Sequence, residues 1–317
     1  MGVSVMAQIV PFISTKGSVG KTALLIQIAG FIASRGKRVL LIDADSQQSL
    51  SASFDYQLSA NFTESSNEHS PMSWQDVLQA MQFDGFGKWL TGAATSRQVI
   101  RQTSVANIDI IANDDQEKWM VPRFLHSAAG AVFQLGVLIK QVKANYDYIF
   151  IDTEGTDGRD HDGRSVQNAA LLAEPSQVIS VTKTKIQFAM EVLRVVDVYN
   201  NALKEYAFVG KDCRPPLKFV LNEHDRSLNI AIEVLRELQE AFADNDRFAC
   251  ASLLQTVIPL KRKFFENFHR ERIFAHQYRD SNQYDRINEV IPALAIEIFP
   301  ELADTTLETA EQQVNGG

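Results

Sequence analysis

The strongest indication of the fold is Lys16-Gly17-Ser18-Val19-Gly20-Lys21-Thr22, a glycine-rich run that ends in lysine and threonine. A short apolar stretch, Gln8 to Ile13, precedes it, and Ala23 to Ser34 follows with apolar residues at helical spacing. A strand, a glycine-rich turn and a helix in this order are typical of a P-loop, whose backbone N–H groups bind phosphate oxygens. The pattern predicts binding of a nucleoside triphosphate by residues Lys16, Gly17, Ser18, Val19, Gly20, Lys21, Thr22 and Ala23.

Two side chains of this loop have predicted tasks of their own. We expect Lys21 to reach the β- and γ-phosphates of ATP and the Thr22 hydroxyl to be a ligand of Mg²⁺. The loop also departs from the usual G-x-x-x-x-G-K-[ST] pattern, because Thr15 stands at the first glycine position and Lys16 follows it.

This departure resembles the deviant Walker A loop of the ParA/MinD family, which includes DNA partition ATPases, division-site selectors and the nitrogenase iron protein. The resemblance implies that Lys16 reaches across a dimer interface to the nucleotide of the other subunit, so that ATP binding produces a sandwich homodimer. Extra positive charge there would stabilise the γ-phosphoryl group during transfer, as an arginine finger does elsewhere. The alternative role for Lys16 is that of a solvated loop lysine.

Two later strand ends carry carboxylates. The apolar stretch Arg38 to Ile42 ends in Asp43-Ala44-Asp45-Ser46-Gln47, which resembles the D-x-D-P-Q switch I signature of the family, with serine in place of proline. The resemblance implies that Asp45 positions the attacking water and approaches Mg²⁺, while Asp43 has a structural role. Two carboxylates that only cap a turn are the alternative interpretation.

The second strand end is a Walker B pattern, in which the apolar stretch Tyr148 to Ile151 is followed by Asp152. Such a carboxylate holds Mg²⁺ directly or through water. The next residues, Thr153-Glu154-Gly155, replace the T-P-P or A-P-P of the family, and Glu154 adds a negative charge there. We expect the polar run 156–164 to be a mobile loop; a metal site made from its acidic residues and His161 is the alternative.

Strand and helix candidates alternate along the chain, which predicts a parallel sheet with right-handed crossovers. The fold expected is α/β, a P-loop NTPase with a mostly parallel twisted sheet flanked by helices on both faces. We expect one domain over residues 1–317, with an acidic C-terminal tail over about 300–317. Predicted strands are Gln8–Ile13, Arg38–Ile42, Ile108–Ile111, Tyr148–Ile151, Val178–Val181, Lys218–Leu221 and Thr256–Ile258, and predicted helices are Ala23–Ser34, Ala128–Ala144, Ile186–Leu203 and Ile230–Ala243. Pro11 would mark a bulge, because proline lacks the donor that a central strand needs.

Composition narrows the class of protein. Hydrophobic residues make up 45% and charged residues 22%, which is ordinary for a globular protein, and no apolar run approaches the roughly 18 residues that span a membrane. The isolated cysteines Cys213 and Cys250 indicate a cytoplasmic protein and exclude the iron protein branch, which holds a shared cluster through cysteines in mid-chain. The acidic tail would be repelled by anionic lipid, so we expect no membrane partner.

The second half of the chain offers weaker signals. Asn222 follows the Lys218–Leu221 strand at the position where the family has an asparagine near adenine, and Pro259 is predicted in the loop that closes over the base. The stretch 261–272 contains five cationic and two acidic residues, against a net charge of −8 for the chain. It predicts a local DNA-binding patch; a basic helix face without a ligand is the alternative. The patch residues are Lys261, Arg262, Lys263, Arg270 and Arg272, with Lys183, Lys185 and Arg194 as possible additions.

Taken together, the chain resembles partition ATPases of plasmids and integrative conjugative elements, and Asn113-Asp114-Asp115 and Asp152-Thr153-Glu154-Gly155 look like the mobile-element branch. The resemblance implies a slow ATPase whose ATP-bound dimer binds DNA non-specifically, associates with the nucleoid, and is released when a ParB-type partner stimulates hydrolysis. One alternative is a nucleotide-dependent scaffold that positions a protein complex with little DNA binding. Another is a biosynthetic enzyme of the dethiobiotin synthetase kind, for which the sequence shows no small-molecule pocket.

Overall fold

The structure is a computed structural model that describes residues 6–55, 83–115, 118–128, 130–155, 164–210, 214–244, 246–260, 268, 271–278 and 286–303. Within these ranges the chain builds one eight-stranded sheet in the order β3-β4-β2-β5-β1-β6-β7-β8. β3 is antiparallel to β4, and every other neighbouring pair is parallel. The strands are β1 (Gln8–Ile13), β2 (Val39–Ala44), β3 (Ile100–Gln102), β4 (Ile108–Ile111), β5 (Tyr148–Thr153), β6 (Val178–Lys183), β7 (Leu217–His224) and β8 (Ala251–Pro259).

Helices connect the parallel strands and cover both faces of the sheet. They are α1 (Lys21–Ser34), α2 (Phe86–Leu90), α3 (Ser96–Val99), α4 (Met120–Ser127), α5 (Gln134–Val142), α6 (Val166–Leu171), α7 (Ile186–Phe208), α8 (Asn229–Asp244) and α9 (Ile287–Ile298). The expected α/β class with a mostly parallel sheet is therefore confirmed.

The central strands are buried on both faces, as their continuous apolar sequences require. Alternate residues of β2 show this directly. Val39 and Leu41 pack in a core with α1 and α9, whereas Leu40 and Ile42 pack in a second core with α2 and α5. The two faces are covered, and the carboxyl ends of β1, β2 and β5 lie beside one another.

Pro11 does not mark a bulge, and this expectation was wrong. Its pairing with Ile151 lies within an unbroken register between β1 and β5. Pairing of β1 with β6 begins only at Phe12, one residue past the proline. β1 therefore accommodates Pro11, which has no backbone N–H to donate, because β6 pairs with β1 only from Phe12 onward.

The predicted helix Ala128–Ala144 is also corrected. Ala128 is extended, at φ −153° and ψ 148°, and it separates α4 from a 3₁₀ turn at Ala131–Phe133 that leads into α5. β3 and α9 were not predicted. α9 contains Pro292, and proline inside an apolar run argues against a helix when only the sequence is read.

Candidate functional site

The glycine-rich loop turns sharply from β1 into α1, which begins at Lys21. Gly20 has φ 87°, a left-handed conformation that glycine adopts without strain. A Cβ at this position would also overlap the Asn222 side-chain amide, which donates to the Val19 carbonyl at 2.9 Å. The bend therefore requires glycine both for its backbone angle and for the close approach of β7.

Lys21 and Thr22 converge on the Walker B carboxylate of β5. The Lys21 Nζ lies 2.5 Å from Asp152 Oδ1 and also donates to the Thr153 carbonyl. The Thr22 Oγ1 donates to Asp152 Oδ2 at 2.6 Å. Lys21, the predicted phosphate ligand, and Thr22, a predicted Mg²⁺ ligand, therefore both contact Asp152.

Asp43 lies beside Asp152, its register partner in the β2–β5 ladder, and is fully buried. Burial, together with the charge of Asp152, raises the pKa of Asp43 to about 7. Its carboxylate accepts hydrogen bonds from the N–H and Oγ of Ser51 at 2.7 and 2.6 Å and from the Asp45 N–H at 3.1 Å. Asp43 thus serves the loop that follows β2, in agreement with the structural role expected for it.

Asp45 reaches the edge of the cleft, unlike Asp43. Burial raises its pKa, and the hydrogen bond that Oδ1 accepts from the Gln47 N–H at 2.8 Å opposes this shift. Its carboxylate lies close enough to Lys21 and Asp152 for their charges to act on it. The structure brings Asp45, Lys21 and Asp152 into one electrostatic cluster.

Lys16 occupies a different environment from Lys21. Its side chain is exposed, and its Nζ lies 5.1 Å from the centroid of the Phe188 ring on α7. The preceding Thr15 is buried and donates to Glu191 Oε2 at 2.7 Å. Helix α7 therefore contacts the loop through Thr15, which stands at the first glycine position of the usual pattern, while Lys16 remains at the surface.

A cleft of about 840 Å³ opens above the loop. Gly155 closes one side of it, and a Cβ there would lie 2.9 Å from the Lys16 carbonyl carbon, so the two backbones touch. Glu154 also lines the cleft and places a carboxylate at its rim. The cleft is lined by Ser14, residues 16–23, Ile26, Asp45, Gln47, Ser49, Ala52, Ser53, Glu154 and Gly155.

The residues around the cleft fit a nucleoside triphosphate and Mg²⁺. Backbone N–H groups at the start of α1 and the Lys21 ammonium suit phosphates. The Thr22 hydroxyl and the Asp152 carboxylate are hard oxygen donors, and a Mg²⁺ ion bound to phosphates takes only one or two protein carboxylates. Among the described residues, no cluster of three or more His, Cys, Asp or Glu side chains could hold a metal. The alternative metal site, made from Asp157, Asp160, His161 and Asp162, lies outside the described residues.

Neither predicted adenine residue lines the cleft. Asn222 is buried behind the loop, where its Nδ2 holds the Val19 carbonyl. Pro259 is the last residue of β8 and pairs with His224. Their contacts with a base stay predictions.

The predicted DNA patch lies mostly outside the described residues, since Lys261, Arg262, Lys263 and Arg270 belong to 261–267 and 269–270. Arg272 is described, and its guanidinium is already paired, with NH2 2.8 Å from Asp55 Oδ1 and NH1 donating to the Ser53 carbonyl. The added candidates Lys183 and Arg194 also have acidic partners, Glu223 at 2.6 Å and Glu191 at 2.8 Å.

The sequence reasoning missed two residues of this region. Ser51 binds Asp43, and Asn113 binds both Ser51 and the Asp45 backbone. The available signal was the position of Asn113 two residues past the end of β4, because the ends of neighbouring parallel strands lie at one edge of the sheet.

Comparison with known proteins agrees with this geometry. The family model AAA_31, an AAA domain, matches residues 7–158. The sporulation initiation inhibitor protein Soj of Bacillus subtilis is 27% identical over 261 residues, which cover 80% of this chain and 85% of Soj. A plasmid partition protein from Borrelia burgdorferi superposes with a TM-score of 0.57 at 18% identity, covering 93% of this chain and 99% of that one. Cobyrinic acid a,c-diamide synthase from Mycobacterium smegmatis, solved with ADP and magnesium, gives 0.59 at 18% identity, covering 85% and 98%.

The fold and the site define a P-loop NTPase. The domain match and the relatives show that the chain is similar to ATPases of the ParA/MinD type, and this similarity supports ATPase activity. The structural neighbours, at 18% identity, share the fold and do not choose between partition and biosynthesis. No helix in the described part of the chain has the length and apolar character needed to cross a membrane.

Proposed function

We propose that this protein is an ATP-dependent DNA partition ATPase, which binds DNA non-specifically as an ATP-bound sandwich dimer and leaves it after hydrolysis stimulated by a ParB-type partner. The observation that carries the proposal is the separation of the two loop lysines. Lys21 is buried and bound to Asp152, whereas Lys16 is exposed at the rim of the cleft. A lysine so placed can reach a nucleotide in a second subunit.

Each site residue has a chemical task in this proposal. Lys21 and the loop N–H groups bind the phosphates, and Thr22 and Asp152 hold Mg²⁺, which would neutralise charge on the phosphoryl oxygens. Asp45 orients the attacking water, and Lys16 adds positive charge from the opposite subunit. Asn222 and Pro259 would lie near the adenine, and we place the protein in the cytoplasm, on the nucleoid when ATP is bound. The acidic tail, 304–317, is outside the described residues.

The DNA contact is assigned to Lys261, Arg262, Lys263 and Arg270. Because the chain carries a net charge of −8, affinity for DNA must come from a local patch. Arg272 belongs to the same stretch, but its guanidinium is engaged with Asp55 and Ser53, so its contribution to DNA binding should be smaller. The mobile-element origin suggested by Asn113-Asp114-Asp115 is part of this proposal.

The test is binding of random-sequence duplex DNA with ATP, with ADP and without nucleotide, over a salt series. Binding that requires ATP and weakens steeply with salt is expected. Replacing Lys261, Arg262 and Lys263 by glutamine should reduce it at least about tenfold and lower the salt slope by up to about three. Arg272→Gln is the matched control, for which the slope should change little.

A second measurement tests the dimer. Lys16→Ala should keep its affinity for ATP but lose the ATP-dependent increase in mass measured by light scattering. DNA binding that is equal in all nucleotide states, or absent from a protein that binds ATP and dimerises, would contradict partition and favour a scaffold that positions a protein complex. Normal dimerisation and turnover by Lys16→Ala would refute the role of Lys16.

A further inference from the structure

The turn after β4 makes buried contacts with the loop that carries Asp45. Asn113 is 3% exposed, and its Nδ2 donates to the Asp45 carbonyl at 3.2 Å. Its backbone N–H donates to Ser51 Oγ at 2.9 Å. Asn113 therefore contacts the catalytic loop at two points.

The Asp45 peptide is held from both sides. Its N–H donates to Asp43 Oδ1 at 3.1 Å, and its carbonyl accepts from Asn113 and from the Gln48 N–H at 2.9 Å. Ser51 links Asp43 to Asn113, because its Oγ donates to the Asp43 carboxylate and accepts from the Asn113 N–H. The result is a closed network around the one carboxylate of this loop that lines the cleft.

Asn113 is itself anchored to helices outside the cleft. Its Oδ1 accepts from the Asp115 N–H at 2.9 Å. The Asp115 carboxylate accepts from the N–H groups of Met120 and Val121, at 3.2 and 3.0 Å, where α4 begins. The neighbouring Asp114 accepts from Gly87 at 2.6 Å, in the first turn of α2, and does not contact Asp45. Asn113 and Asp115 thus connect the loop that carries Asp45 to the first residues of α4.

We infer that Asn113 is a positioning residue for Asp45, which holds the Asp45 peptide so that its carboxylate faces the phosphates. This inference rests on the proposed function, in which Asp45 acts in ATP hydrolysis. Geometry of this kind matters because a displacement of about 1 Å can cost roughly 100-fold in rate. A buried carbonyl that loses a donor also favours a rearranged backbone.

The test compares Asn113→Asp with Asp114→Asn. Asn113→Asp retains the acceptor for Asp115, replaces the donor to Asp45 with an oxygen and adds a negative charge, so the contact with the Asp45 carbonyl is lost. Asp114→Asn weakens the start of α2 in the same turn and leaves the Asp45 contacts in place. Thermal unfolding measures the loss of stability in each variant, and the comparison of the two variants is corrected for that loss.

Three readouts are needed. We expect Asn113→Asp to lower single-turnover ATP hydrolysis at least about tenfold, with affinity for ATP in the absence of Mg²⁺ within about threefold of the parent. The gain in affinity that Mg²⁺ gives to a fluorescent, non-hydrolysable ATP analogue should shrink. Hydrogen exchange of the amides over 45–51 should accelerate. Asp114→Asn should leave turnover, the Mg²⁺ gain and exchange over 45–51 near parental values.

The inference is overturned if Asn113→Asp retains turnover within about twofold, or if Asp114→Asn shows the same losses. Asp45→Ala separates this failure from that of the proposed function. An Asp45→Ala protein that hydrolyses ATP normally removes the catalytic role of Asp45 and the inference together. An inactive Asp45→Ala protein beside normal Asn113 variants removes the inference alone.

Discussion

Charged residues at two neighbouring parts of the same sheet edge differ in their access to the cleft. At the ends of β2 and β5, Asp45 and the Lys21–Asp152 pair line or border the cleft. At the ends of β6 and β7, Lys183 and Glu223 form an ion pair of 2.6 Å, and neither residue lines the cleft. Charged residues at strand ends therefore do not by themselves make a site.

The difference lies in what the neighbouring loop provides. The loop between β1 and α1 places N–H groups and Lys21 against Asp152, so the charges there face a space that phosphates can fill. On the other side of β1, Asn222 packs behind the same loop, where its Nδ2 donates to the Val19 carbonyl. Local pairing and access decide which charges can act on a ligand.

The largest expected effect comes from breaking the Lys21–Asp152 pair. Lys21→Met should lower ATP affinity at least about 100-fold, or about 2.7 kcal/mol, because it removes the phosphate-binding charge. It should also destabilise the protein by about 3–5 kcal/mol, because Asp152 is left buried without its partner. Nucleotide titration and urea unfolding measure the two effects.

The double variant Lys21→Met/Asp152→Asn separates these contributions. Because it removes both charges, it should recover most of the lost stability without recovering ATP binding. If the double variant binds ATP as the parent does, Lys21 and Asp152 form only a structural pair.

The matched pair at β6 and β7 should behave differently. Lys183→Met should cost about 1–2 kcal/mol of unfolding free energy, less than Lys21→Met, because the Glu223 side chain left behind is 22% exposed and can be solvated. ATP affinity should stay within about threefold of the parent. A loss of affinity comparable to that of Lys21→Met would show that the β6–β7 edge belongs to the nucleotide site.

The smallest effect concerns His276, which packs between Phe31 and Phe274. Burial, with help from the charge of Arg35, lowers its pKa to about 4 from 6.5. Between these pH values the unfolded chain binds a proton that the folded protein does not, so the unfolding free energy falls as pH falls. The contribution, at most about 1 kcal/mol once solvent screening of the partly exposed ring is included, is fully present above pH 6.5.

His276→Phe is the control for this titration, since an aromatic ring keeps the packing and removes the ionisable group. Urea unfolding at pH 7.5 and pH 4.5 should show a smaller loss for the variant than for the parent. Equal losses in the two proteins would mean that other groups dominate the acid response.

Much of the fold could be predicted because its signals are local. β1 and β4 have the predicted bounds, Gln8–Ile13 and Ile108–Ile111, since short apolar runs between turns identify buried strands. β7 and β8 extend beyond prediction, to Leu217–His224 and Ala251–Pro259, because pairing with a neighbouring strand recruits polar residues that have no strand signal. The same reason accounts for β3, which contains only Ile100, Arg101 and Gln102.

The residues of the candidate site also fall into those that local sequence predicts and those whose roles depend on distant contacts. Gly20, Lys21 and Thr22 could be assigned because the hydrogen-bonding geometry of a P-loop is contained in consecutive residues. Asn113 could not, since its role depends on β4 lying next to β2 in the sheet. The sequence predicts Arg272 as part of the DNA patch and gives no sign of its pairing with Asp55, which lies more than two hundred positions away.

The sequence by itself determined a phosphate-binding loop between a strand and a helix, with acidic residues at two later strand ends, because these are properties of contiguous residues. Only the tertiary structure decided which distant groups meet: Asp152 with Lys21, Glu191 with Thr15, and Asn113 with Asp45. The physical reason is that strand order sets these neighbours. A hydrogen bond or ion pair between remote residues forms only where the packed sheet and helices bring both partners together.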